Sequence, residues 1–290
     1  MQDSVASRTA LRVAIRRAEH QVIDLPPVFQ DPLSLRIIGL EERAKIVPGV
    51  VTRQQRLNVS FRAFMAVRSR FAEDELAAAV ARGVRQYVVL GAGLDTFAYR
   101  NPFAASGLRV YEVDHPATQA WKREQLHAAE IAIPATAVHV AANFERQTLT
   151  EALAATNFRF DRPAFFSWLG VVQYLTDRAF DDTMRSVSSM PTGSGIAIDY
   201  AVRRSLLNEK ERIALDALSA RVARMGEPFR LFFDPGQLAD RLRGMGLCKI
   251  EDLGREQMNA RYCADRTDGF KVKGNLGRLL RAEVYHSVGL

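Results

Sequence analysis

Cysteine is scarce: Cys248 and Cys263 are the only two among 290 residues. That is too few for a disulfide framework, and they lack the CxxC spacing of a zinc site. No apolar run approaches the roughly 18 residues of a membrane span, and the opening MQDSVASRTALRVAIRR has no apolar secretion segment. These absences predict a cytoplasmic protein with reduced cysteines, no membrane segment and no metal cluster. The chain also lacks an internal repeat, a Lys-rich tail and an aromatic ladder beside its basic residues, which argues against nucleic acid as the partner.

Positive charge is plentiful, and it is unevenly placed. Lys and Arg number 40 against 33 Asp and Glu, a net charge of +7. The first 70 residues hold 12 of the basic and six of the acidic side chains. Such Arg-rich stretches are ordinarily solvated helix faces, and they also suit an anionic small-molecule substrate. Hydrophobic residues make up 48% of the chain, ample for one large domain.

Periodicity divides the chain. Helical spacing covers Ala6 to about Glu19, then one or two short helices between Leu33 and Val47, then Phe61–Ala81 ending at Gly83. Strand-like runs follow at Tyr87–Leu90, Leu108–Val113, Ala137–Ala141, Ala164–Leu169 and Gly195–Tyr200, with helical segments between them. Leu247–Leu253 and Leu279–Val284 add two more. The alternation predicts an α/β fold, a doubly wound and mostly parallel Rossmann-like sheet. Its expected organisation is a helical cap region (1–83), a cofactor-binding core (84–200), a substrate-side insertion after the fifth strand (201–235) and C-terminal strands (236–290).

The first strand runs into Gly91-Ala92-Gly93, and the second ends at Asp114, 21 positions after Gly93. A nucleotide-binding βαβ unit places a carboxylate under the ribose at about that distance. A nicotinamide fingerprint needs a third glycine where this chain has Thr96. That disfavours a nucleotide-dependent oxidoreductase without removing it, and leaves S-adenosylmethionine, which has a ribose and no pyrophosphate, as the other candidate. His20, His115, His127, His139 and His286 show no ligand spacing. His115, beside Pro116, reads as a structural hydrogen-bonding residue.

Longer motifs narrow the choice. Val67-Arg-Ser-Arg-Phe71, Val89-Leu-Gly-Ala-Gly-Leu-Asp-Thr96, Tyr111-Glu-Val-Asp-His-Pro116 and Gly170-Val-Val-Gln-Tyr-Leu175 closely resemble the leucine carboxyl methyltransferase family, in particular its bacterial S-adenosylmethionine-dependent O-methyltransferases. The resemblance implies a class I methyltransferase fold, S-adenosylmethionine as cofactor and S-adenosylhomocysteine as product. Its implied cofactor contacts are Gly91, Ala92, Gly93, Asp95, Glu112, Asp114, His115, Asn143, Phe144 and Leu169. Arg68 is the first choice, and Arg70 the second, for the cofactor carboxylate. Two positions depart from the family pattern: Asn143 stands where an acidic residue is common, and Leu169 where many members have Glu. They raise the further reading of a cofactor-binding protein that has lost activity. Tyr174, Tyr200 and Arg203 are the expected substrate-side residues, with Arg204 beside them. A carboxylate acceptor, ionised at neutral pH, requires no general base.

Overall fold

The computed structural model describes residues 8–143 and 147–286. The apolar run at Tyr87 is strand β1 (Gln86–Leu90), all five residues of it buried. Both sheet faces are covered, so there is no solvent side toward which the sequence would alternate. The other strands are β2 (Arg109–Asp114), β3 (Ala137–Ala141), β4 (Phe165–Trp168), β5 (Gly195–Ala201), β6 (Leu247–Leu253) and β7 (Gly277–Val284). Their order is β3-β2-β1-β4-β5-β7-β6.

Strands β1 to β5 pair in parallel, whereas β7 is antiparallel to both β5 and β6. All five parallel strands therefore end at one edge. The chain winds outward from β1 to β3 and then returns to β4 on the other side, so the crevice above the β1–β4 junction is the switch point of the sheet, where open α/β folds bind ligands.

Successive residues of β1 enter opposite cores. Val88 and Leu90 join Phe166, Trp168 and Ile198 on one face, closed by Phe180 and Met184 of helix Asp177–Ser188. Tyr87 and Val89 face Val67, Phe71 and Leu76 of helix Val59–Ala81. Gly83 follows that helix at φ +100°, and its N–H bonds Val80 O at 2.9 Å. Glycine tolerates this conformation at little cost, which is why the helix stops there.

The first helix, Arg8–Ile23, overruns the expected end at Glu19 by a turn. His20 is polar yet fully buried, its Nε2 accepting the N–H groups of Val28 (3.0 Å) and Phe29 (3.3 Å). A polar residue satisfied in this way extends a helix beyond its apolar spacing. Ala14 and Ala18 of the same helix pack with Leu94, which lies just after the glycine turn. The segment after β5 carries helix Glu209–Ala223 and returns to the sheet at a bridge between Val202 and Phe233.

Candidate active site

A cavity of about 260 Å³ lies at the switch point. Its floor is the turn after β1. The N–H groups of Gly91 and Ala92 both donate to Val113 O, at 2.8 and 3.2 Å, which pins the turn to β2. Gly91 and Gly93 sit at φ +69° and +46°. A Cβ on Gly91 would lie 2.3 Å from Val171 Cγ2, closer than atoms can approach. Glycine is required there by both conformation and space.

Asp114 closes the end of β2. Its Oδ2 accepts the Gly93 N–H and its Oδ1 the His115 N–H, each at 2.6 Å. Burial raises the Asp114 carboxyl above its ordinary range, and these two N–H groups oppose the rise. Asp95 is half-buried, and Arg17, Lys122 and Arg100 outweigh its desolvation and hold it low. Its Oδ2 accepts from Arg17 Nη1 at 3.1 Å and its Oδ1 from the Phe97 N–H at 2.8 Å.

The wall comes from helix Val59–Ala81 and the end of β4. Arg68 is buried, with Nη1 3.1 Å from Asp199 Oδ2. Asp199 also accepts the Gly170 N–H. A Cβ on Gly170 would lie 2.9 Å from Arg68 Nη1, so the guanidinium rests against that glycine. Glu73 is held by Arg100, and Tyr87 shares a 2.7 Å hydroxyl bond with Ser167. Toward the mouth, burial is the main cause pushing the Tyr174 phenol up to about 12. Thr9 beside it donates to Glu227.

Ten of the residues expected from the sequence line this cavity: Arg68, Gly91, Ala92, Gly93, Asp95, Asp114, His115, Asn143, Leu169 and Tyr174. Four lie elsewhere. Arg70 is exposed and bonds Asp74 at 2.7 Å, because residues two apart on a helix point in nearly opposite directions. Glu112 sits one pleat repeat below the strand end, enclosed by Lys122 (2.7 Å) and the Tyr99 hydroxyl (2.6 Å). Tyr200 is buried and donates to Asp252 at 2.6 Å; the neighbouring antiparallel strands cover the end of β5. Arg203 borders a separate hollow with Phe232 and Arg241, and Arg204 pairs with Asp216. Phe144 lies outside the described residues.

Sequence reasoning passed over Arg17, Glu73, Ser167, Glu227 and Arg230, which also line the cavity. Arg17 reaches Asp31 at 2.5 Å in a buried pair. No spacing rule links Asp31 to an arginine 14 positions earlier.

Residues 10–188 match the family model described as leucine carboxyl methyltransferase. A Bacillus subtilis relative, YktD, whose name assigns it provisionally to the S-adenosyl-L-methionine-dependent methyltransferases, is 28% identical over 293 residues, covering 94% of this chain and 96% of its own. A Parafrankia relative with the same designation is 35% identical over 198 residues, 67% of this chain and 63% of its own. Among solved structures, a DUF574 family protein from Streptomyces avermitilis aligns with a TM-score of 0.60 at 15% identity, over 98% of this chain and 99% of that one. A Thermobifida fusca protein, named provisionally as a methyltransferase, gives 0.57 at 18% identity, over 94% of each. The two structures share the fold of this chain.

Proposed function

Because the chain belongs to the leucine carboxyl methyltransferase family and is an S-adenosylmethionine-dependent methyltransferase, we propose that it methylates a carboxylate oxygen of a small-molecule acceptor. Family membership decides between the two cofactors that the glycine turn left open, against a nicotinamide dinucleotide. It also disfavours a binding protein without activity.

The donor set suits the cofactor. Gly91 and Gly93 keep the turn free of side chains, so the methionine portion can approach the backbone. Asp114, braced by two N–H groups, presents its remaining lone pairs to the ribose hydroxyls. Arg68 has only one nitrogen engaged with Asp199, which leaves the rest of its fork for the cofactor carboxylate. Asn143, two residues beyond β3, lines the cavity on the side suited to the adenine, and Leu169 offers an apolar contact.

One observation carries the carboxylate reading: every candidate base described in the cavity is already committed. Asp114 holds two N–H groups, Asp95 is bridged to Arg17, Glu73 to Arg100, and Glu227 accepts from Thr9. His115 Nδ1 accepts the Ala117 N–H at 3.3 Å, so its neutral ring carries the proton on Nε2 and offers a donor. A phenol or alcohol acceptor needs a base. A carboxylate with a pKa near 4 is ionised about a thousandfold over its acid at pH 7 and needs none.

When bound, S-adenosylmethionine supplies a methyl group on a sulfonium that departs as a neutral thioether. The protein's part is alignment and exclusion of water: Arg68, Asp114 and the glycine turn hold one reactant, while Val171, Leu175 and Tyr174 confine the other.

The test is transfer of labelled methyl to acidic metabolites followed by mild base. A methyl ester releases its label as volatile methanol. Label that survives the base treatment excludes a carboxylate acceptor.

A further inference from the structure

The three arginines lining the cavity differ in what balances them. Arg17 is bridged to Asp31 and Asp95, and Arg68 to Asp199; both are buried. Arg230 is exposed, and its guanidinium has no hydrogen-bond or ion-pair partner among the described residues. Its segment is nevertheless anchored, since the Arg230 and Leu231 N–H groups donate to Gln173 O at 2.7 and 3.2 Å, next to Tyr174.

Two further arginines belong to elements that reach this cavity, Arg12 between the lining residues Ala10 and Val13 and Arg221 five residues before the lining Gly226. Arg12 belongs to the first helix and Arg221 to helix Glu209–Ala223, and neither has a hydrogen-bond or ion-pair partner among the described residues. Burial, and then the like charges of Arg221 and Arg16, pull Arg12 below its ordinary value, against the opposing charge of Glu227. Arginines solvated along one helix need no such convergence. Here separate elements bring like charges together, at a cost that a bound anion would offset. Between this rim and the glycine turn the wall includes Val13, Val171, Leu175 and Pro228.

We propose that Arg230, backed by Arg12 and Arg221, forms an anion-binding rim for a second acidic group of the acceptor, remote from the oxygen that is methylated. The inference rests on the carboxylate reading above and narrows it to a dianionic acceptor with an apolar spacer. The rim is exposed at the mouth, whereas Arg68 and Asp114 mark the inner end. A guanidinium clamped on the reacting carboxylate would also occupy the lone pairs that must attack.

The experiment titrates α,ω-diacids, from butanedioate to dodecanedioate, and monoacids of equal length into the protein loaded with S-adenosylhomocysteine. At least one diacid is expected to bind tenfold or more tightly than its matched monoacid, with an advantage that shrinks as salt rises. Arg230→Gln should bring the pair within threefold of each other while leaving S-adenosylhomocysteine affinity unchanged. Arg221→Gln, at an exposed position, should reduce the same ratio with little effect on folding. Equal binding of both acids by the wild type, binding of neither, or an advantage that survives both substitutions overturns the proposal. The titration reads no methyl transfer, so its failure is separate from that of the carboxylate reading, which falls to a base-stable label.

Discussion

The Cβ of Ala10 lies 3.1 Å from the point where a side chain at Gly93 would begin. The first helix is thus seated directly on the turn that carries the cofactor loop. Gly93→Ala would add both that contact and an L-residue at φ +46°. The conformational cost is about 1–2 kcal/mol, a fall in melting temperature of roughly 3–6 °C for a domain of this size. S-adenosylhomocysteine affinity should fall with it in calorimetry. Adding Ala10→Gly should relieve the contact and recover little, because the dihedral remains.

Asp114→Asn should weaken S-adenosylhomocysteine by at least tenfold, about 1.4 kcal/mol. The direction of its pH dependence follows from burial, which raises this carboxyl above the ordinary aspartate range. The ionised form is the acceptor for hydroxyls, so wild-type affinity should drop on acidification at a pH above that at which an exposed aspartate protonates. The Asn variant should be flat across the same window. A wild-type profile as flat as the variant's would remove Asp114 from the ribose site.

Arg68→Gln separates the two ends of the cofactor. S-adenosylhomocysteine carries the amino-acid carboxylate and 5′-methylthioadenosine does not. Affinity for the first should fall tenfold or more, with the second within twofold of wild type. Equal losses for both ligands would show that Arg68 supports the pocket only through Asp199.

Tyr200→Phe tests a residue that the structure moves out of the site. Its hydroxyl donates to Asp252 at 2.6 Å, beside Arg278 on the same carboxylate. Loss of that partly buried bond should cost about 1 kcal/mol in urea unfolding and leave S-adenosylhomocysteine affinity as it was. A weakened ligand with unchanged stability would return Tyr200 to the cavity.

What the sequence made legible follows from the range of the interactions involved. Each of the seven strands could be read because apolar runs bounded by turn residues are local signals, and the Gly93–Asp114 spacing reflects the length of one βαβ unit. Arg17 with Asp31, Glu73 with Arg100 and Thr9 with Glu227 are pairings between distant segments, and no local pattern announces them. Glu112 and Tyr200 misled for a related reason. They lie within two residues of a strand end, where one pleat decides between cavity and interior, and the deciding atoms belong to Lys122, Tyr99 and Asp252. Arg203 and Arg230 show the same limit: Arg203 reads as a substrate-side residue and Arg230 carries no local signal, yet the path of the chain back to Gln173 places Arg230, and not Arg203, in the cavity lining.

Strand β7 runs against β5, with Gly277 opposite Ala201 and Glu283 opposite Gly195. Val284 therefore emerges at the edge of the sheet farthest from the cavity, while the helix that begins at Arg8 lines it through Thr9, Ala10, Val13, Ala14 and Arg17. An affinity handle or surface tether attached on the C-terminal side would leave ligand entry free. The same attachment on the N-terminal side would crowd the opening and depress every titration described above.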